Sequence, residues 1–266
     1  MHFLIQAPNG KVPRSHDFSH LLLRAKEFYD WYGKERLSVT FCRSLRAERI
    51  SNPDRLVPVG DTRFVSQYLQ LFYPDAAERA LRPLNVPRLL LPYAGRRIEE
   101  MAAPGEDGLR AVFPDSRKLY WKSVSVIKYE RNGLYDAGYA PEGEGPWQVS
   151  EFIDILSEWR VFVFHDEVRF VANYSGDSLE FPDADTIRAM IQAFRPDAPV
   201  AYTLDVAVAW DREEPTRKNT VVMECHRFFS CGTYGFSDLG RYPKMLSQAW
   251  HEIKNDPKFK INARNR

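Results

Sequence analysis

Apolar residues recur along the chain first at strand spacing and then at helix spacing. "FLIQA" (3–7) is a short apolar run, and in "FSHLLLRAKEFYDWYG" the residues Phe18, Leu21, Leu22, Ala25 and Phe28 fall on one helical face. "LSVTFC" (37–42) and "RLVPVG" (55–60) read as two further strands, and "TRFVSQYLQLF" (62–72) as a helix that Pro74 stops. Strand and helix signals repeating in this way predict a small α/β layer. From Pro83 to Gly108 the chain turns rich in proline, arginine and acid, which predicts a junction near residue 95 and two domains, 1–95 and 96–266. The two prolines that bracket Leu89–Leu91 predict an extended connector there and argue against a central strand.

Beyond the junction the pattern changes to paired strands. "KLYWKSVSVIKY" (118–129) leads into a long glycine- and proline-rich loop, "RNGLYDAGYAPEGEGP" (131–146). "EWRVFVFHDEVRFVANY" (158–174) predicts a hairpin with a polar turn at His165-Asp166-Glu167. Alternation puts Trp159, Val161 and Val163 on one face, and Arg160, Phe162 and Phe164 on the other. In "FPDADTIRAMIQAF", Ile187, Met190, Ile191 and Phe194 repeat at helical spacing. "AYTLDVAVAW" (201–210) and "NTVVMEC" (219–225) read as an antiparallel pair joined by the charged turn "DREEPTRK". Such pairing brings Asp205 and Glu224 to one region of a sheet.

Composition narrows the class. Of 266 residues, 44% are hydrophobic and 27% charged, which is the profile of a folded globular chain. The 37 basic residues balance the 36 acidic ones, so no global basic field draws the protein to nucleic acid or to an anionic membrane. The exception is the basic C-terminal run from Lys254 to Arg266, beside which Trp250 and Phe259 supply aromatic rings; a solvated, partly frayed tail is the commoner explanation of such a run. Three cysteines cannot build a disulfide framework, and no window approaches the length of a membrane span. The expectation is a cytoplasmic protein in a reducing compartment.

Candidate chemistry concentrates in "VVMECHRFFSCGTYGFSDLG" (221–240). A structural zinc site needs four ligands in close pairs. Cys225 and His226 are adjacent, and on a strand they point to opposite faces. A hard cation such as magnesium instead takes one or two carboxylates, and Asp205 and Glu224 stand inside apolar strands where a bare charge is costly. Exposure to solvent, or pairing with arginine, would also account for them. Lys122 and Lys128 fall on one face if their strand is continuous, where a polyphosphate would relieve their repulsion; a solvated face is the plain alternative. The chain has no phosphate loop of the G-x-x-x-x-G-K-[ST] kind, no G-x-G-x-x-G, no H-E-x-x-H and no G-x-S-x-G.

The order of these parts, a lysine strand, a glycine loop, "VSEFIDILSEWRVFV", "YTLDVAV" and "VVMECHRFFSCGTYG", resembles the ATP-grasp superfamily. It is most similar to the bacteriophage and bacterial clade named for one arginine and two lysines, and the match spans roughly residues 110 to 240. The resemblance implies an α+β fold: two α+β subdomains with ATP between their sheets, preceded by a small α/β domain. It implies that Lys122 and Lys128 hold phosphates and that Glu151, Phe152, Ile153 and Asp154 form the hinge against adenine and ribose. Glu158 and Arg160 match an acid-x-Arg element whose arginine faces the transferred phosphate or the substrate. Asp205 and Glu224 match the magnesium carboxylates, and His226 stands where the family has asparagine. Imidazole suits softer metals, which brings manganese in as the alternative.

The implied activity is an ATP-dependent ligase that joins a carboxylate to an amine through an acylphosphate. The acid and amine, an amino acid, peptide or protein among them, are unidentified. The implied setting is the cytoplasm, or the host cytoplasm for a phage-encoded chain. His226 favours a second expectation, an ATP-binding module without ligase turnover that acts through a protein partner. Binding to membrane or nucleic acid is not expected.

Overall fold

The computed structural model describes residues 1–33, 35–102, 106–124, 133–136, 145–229 and 231–255. Its first layer is a parallel sheet of β1 (His2–Gln6), β2 (Ser38–Cys42) and β3 (Val57–Val59), in the order β2-β1-β3. The central strand is apolar without alternation, Phe3, Leu4 and Ile5 all being buried, as a strand covered on both faces must be. Helix α1 (Asp17–Tyr32) ends at Gly33, whose left-handed backbone (φ 61°) lets its N–H reach the Tyr29 carbonyl. Asp61 caps α2 (Thr62–Phe72) by accepting from the Phe64 N–H. Pro74 does stop that helix, but it also opens a new one, α3 (Pro74–Leu81), because proline suits a first helical turn.

A second sheet contains β4 (Ile98–Met101), β5 (Lys118–Ser123), β6 (Gly133–Asp136) and β7 (Trp147–Glu151), all antiparallel, in the order β4-β7-β5-β6. With α4 (Glu106–Val112) it encloses a small core of Leu109, Phe113, Leu119, Trp121, Trp147 and Val149. Two expectations change here. Residues 133–136 of the supposed loop are strand β6, paired with β5. The Leu89–Leu91 segment is not extended: Arg88–Tyr93 coil into a 3₁₀ turn that buries Leu90, because proline constrains φ without demanding an extended chain.

The third sheet is the largest, with β8 (Ile155–Phe164), β9 (Glu167–Gly176), β10 (Ala201–Trp210) and β11 (Lys218–Arg227) antiparallel in the order β11-β10-β8-β9. The β8–β9 turn is tighter than expected. His165 and Asp166 alone form it, at φ 51° and 59°, and Glu167 already pairs with Phe164. Helix α5 (Ala184–Phe194) packs Ile187, Met190, Ile191 and Phe194 on the face that carries Trp159, Val161 and Val163. Phe162 and Phe164, on the other face, enter the core of the first layer together with α6 (Tyr242–Asn255). Trp250 belongs to that core, edge-on to Tyr68 and Tyr73, and so is no stacking platform for a nucleic acid; Phe259 lies outside the described residues.

Candidate active site

Between the second and third sheets lies a cavity of about 410 Å³. The second sheet contributes Tyr120 and Lys122, the third contributes Glu158, Tyr174 and Glu224, and the link between them contributes Phe152 and Ile153.

Strand register explains how the charges meet. Arg160 on β8 and Glu224 on β11 are both direct partners of Asp205 on β10. Directly opposed residues share a face, so the three side chains stand in one row across three strands. Arg160 donates from Nε and Nη2 to the two oxygens of Asp205, at 2.8 and 2.7 Å. Both groups are buried, Arg160 at 7% and Asp205 at 1% exposure, so each neutralises a charge that burial would otherwise disfavour. Burial alone would raise the Asp205 carboxyl, but hydrogen bonds from Arg160 and His226 hold it below its usual range. Burial likewise disfavours the Arg160 cation, and Asp205 reverses that, raising its pKa above the ordinary arginine value.

Glu224 Oε2 accepts from Lys122 Nζ at 2.8 Å, across the cavity, and Glu224 Oε1 lies 2.8 Å from His226 Nε2. Lys122 also donates to the Met223 carbonyl at 3.2 Å. Ligating atoms of Asp205, Glu224 and His226 all lie within 4.8 Å of one another. Two carboxylates and an imidazole, converging from adjacent strands, fit a divalent cation. The carboxylates suit magnesium or manganese, and the imidazole tips the set toward the softer of the two. Cys225 points the other way, fully buried among Leu204 and Val222, and takes no part; burial raises its thiol pKa.

The hinge residues divide in their roles. Phe152 is half exposed at the cavity, and Ile153 anchors the segment in a core with Ala207, Ala209 and Val221. The Glu151 carboxylate is held by the Arg97 N–H at 2.8 Å, the Ser116 hydroxyl at 3.1 Å and Arg212. Its own burial would push its pKa up, but those three donors hold it below the usual carboxylate value. The Asp154 side chain is exposed and away from the cavity, while its carbonyl receives the Trp210 N–H at 3.1 Å. Lys128, expected beside Lys122, lies outside the described residues, and β5 ends at Ser123.

Sequence reasoning missed Arg96, a cation on the cavity wall. Its Nη1 donates to the Ala94 and Val222 carbonyls, and no carboxylate among the described residues pairs with it. Desolvation lowers its pKa to about 10. Gly95 places it: at φ 63°, a Cβ there would lie 2.5 Å from Val221 Cγ1, so only glycine lets the connector come this close to β11. In the sequence it is marked only by "AGRR" ahead of β4, a pattern that does not reveal the close approach to β11.

A cavity bounded by two antiparallel sheets, with a cation reaching across it to paired carboxylates, is an ATP-grasp arrangement. The family model for the ATP-grasp domain of the clade named for one arginine and two lysines, family 2 of that clade, matches residues 108–244, just over half of the chain. The chain belongs to that family. Among solved structures, the ATP-grasp ligase PsnB complexed with a minimal precursor aligns at a TM-score of 0.55 and 13% identity, over 93% of this chain and 99% of that one. D-cycloserine synthetase DcsG aligns at 0.55 and 11%, over 96% and 100%. D-alanine–D-alanine ligase from Bacillus anthracis aligns at 0.55 and 9%, over 96% and 98%. These likenesses show the α+β ATP-grasp fold. A curated relative, the probable inorganic carbon transporter subunit DabA of Xanthomonas euvesicatoria pv. vesicatoria (strain 85-10), is 28% identical over 140 residues, which are 53% of this chain and 15% of that protein. Among the described residues, no helix is long and apolar enough to cross a membrane.

Proposed function

We propose that the protein is an ATP-dependent ligase that joins a carboxylate to an amine through an acylphosphate. The observation that carries this reading is the Arg160–Asp205–Glu224 row facing Lys122 across the cavity. In the proposed reaction the γ-phosphoryl group passes to a carboxylate oxygen and ADP leaves; the amine nitrogen then forms the amide bond, and phosphate departs. Lys122, Arg96 and Lys128 are assigned to phosphate oxygens, where fixed positive charge stabilises the charge spreading in transfer. Phe152 and Ile153 are assigned to the base. Glu224, Asp205 and His226 would hold the divalent cation, which supplies charge neutralisation at the phosphates. In a neighbouring fold, PsnB has been seen with Mg and ADP, at a TM-score of 0.54 and 11% identity.

The substrate pair is an acid and an amine, with an amino acid, peptide or protein as the candidates. The proposed division into a domain of residues 1–95 and one of residues 96–266, and the cytoplasmic setting, belong to the same reading. One observation favours a second reading, an ATP-binding module that acts through a protein partner without turnover. His226 Nε2 bonds the carboxylate that would hold the cation, and Lys122 occupies its other oxygen. Calorimetry of Mg·ATP on wild type and Glu224→Ala, with ADP release followed across acid and amine pairs, separates the two. The ligase releases ADP only with a matching pair, and Glu224→Ala abolishes it. AMP release, or adenylylation of a lysine, rejects the ligase; tight binding without turnover selects the module.

A further inference from the structure

Every carboxylate oxygen of the candidate cation site has a partner from this chain. The two Asp205 oxygens accept from Arg160, at 2.8 and 2.7 Å. Glu224 Oε1 lies 2.8 Å from His226 Nε2, and Glu224 Oε2 accepts from Lys122 Nζ at 2.8 Å. The contacts from Arg160 and His226 stay within the third sheet, where β8, β10 and β11 fix them in register. Lys122 comes from outside it, from β5 of the second sheet, 102 positions from Glu224. Its Nζ also donates to the Met223 carbonyl at 3.2 Å and sits 5.8 Å from the centre of the Tyr120 ring. Both partners line the cavity, and their side chains keep 16% and 20% exposure, so neither is locked away from a ligand.

That geometry makes Lys122 and a divalent cation competitors. A hard cation binds a carboxylate oxygen at about 2 Å. On Oε2 it would stand roughly 4 Å from the ammonium that lies 2.8 Å from the same oxygen, close enough for strong repulsion. An ion pair that only joined the two sheets could use any facing residues. This one covers a ligating oxygen of the Asp205, Glu224 and His226 cluster. Lysine is a compact charge on a flexible stem, and phosphate oxygens can take over that charge. Arg160 has no such freedom, because it grips Asp205 from two nitrogens while both are buried.

We propose that the Lys122–Glu224 ion pair is a latch on the cation site: Lys122 covers Glu224 until polyphosphate oxygens draw its ammonium away, so cation and nucleotide each bind better in the other's presence. The latch rests on the ATP reading for its purpose, but the cation titration that tests it does not. Mn²⁺ alone is titrated into the full chain, with the paramagnetic resonance of free Mn²⁺ as the readout. Lys122→Met is expected to bind Mn²⁺ roughly tenfold more tightly than wild type, since the pair lies between the exposed and buried extremes. Lys122→Gln, the second variant, should behave alike. Arg96→Met removes a positive charge from the same cavity wall without uncovering Oε2, and should stay within about twofold of wild type. In EDTA, metal-free AMPPNP is then titrated by calorimetry. Glu224→Gln is expected to bind it several-fold more tightly than wild type, and that gain should vanish in the Lys122→Met background. The latch is overturned if neither Lys122 variant gains Mn²⁺ affinity, if Arg96→Met gains as much, or if the Glu224→Gln gain survives without Lys122. If no form binds AMPPNP, the ATP reading fails separately, and the Mn²⁺ titrations still decide the latch.

Discussion

The cavity is walled by two antiparallel four-stranded sheets built on different principles. β8 to β11 are ten residues each, and the faces of their sheet enter separate cores. The opposing strands are four to six residues long and share one six-residue core. The larger sheet holds Arg160, Asp205 and Glu224 in fixed register, since a one-residue slip would turn every side chain over. The smaller sheet presents Lys122 on a flexible stem, which can exchange one partner for another. Fixed charges sit where burial enforces register, and the exchangeable charge sits where little core resists movement.

Three substitutions would break or sharpen that contrast. Asp205→Ala strands Arg160, 7% exposed, without its counter-ion, and should lower the unfolding free energy by about 3–5 kcal/mol in urea titrations. A loss below about 1 kcal/mol would mean that Arg160 escapes to water and that the row is not fixed. Trp121→Ala removes a fully buried ring that meets Trp147 edge-on at 6.0 Å, at a cost of about 3 kcal/mol. Hydrogen exchange should then quicken in β5 and β7 but not in β10; equal acceleration in β10 would make the two sheets one cooperative unit.

Glu151→Gln should have the smallest effect, about 1 kcal/mol or less, because the Arg212 side chain is 44% exposed and its pairing is screened by solvent. Its pH dependence is specific. A carboxylate held below its unfolded value of 4.5 contributes stability that is present above that pH and is lost as pH falls through the folded value. The stability gap between wild type and Glu151→Gln should therefore be open at neutral pH and close in acid. A gap that stays constant from neutral pH down into acid would show that the three donors do not favour the charged form.

Much of this frame was legible before any coordinates. The faces of β8 follow from alternation, and α5 follows from its periodic apolar residues, because each burial pattern is local. The pairing of "YTLDVAVAW" with "NTVVMEC" followed from two strands and one turn. Arg96 was not legible: nothing in "AGRR" reveals that the connector passes β11 closely enough to strip water from a guanidinium. Glu151 lines the cavity, but that its carboxylate is held by donors from Arg97, Ser116 and Arg212, segments far apart in the chain, was not legible. The left-handed backbone of Tyr234 was not legible either, because backbone strain leaves no mark on composition.

By itself the sequence determined the strands of the first layer and of the largest sheet, the helices α1, α2 and α5, and that two carboxylates belong to neighbouring strands. Each of these depends on periodicity within a few residues. Only the tertiary structure decided that Arg160, Asp205 and Glu224 form one row, that Lys122 crosses the cavity to meet it, and that Asp17 pins the turn beneath Tyr234. Those contacts join residues up to 216 positions apart, and their strength comes from burial, which no local pattern encodes.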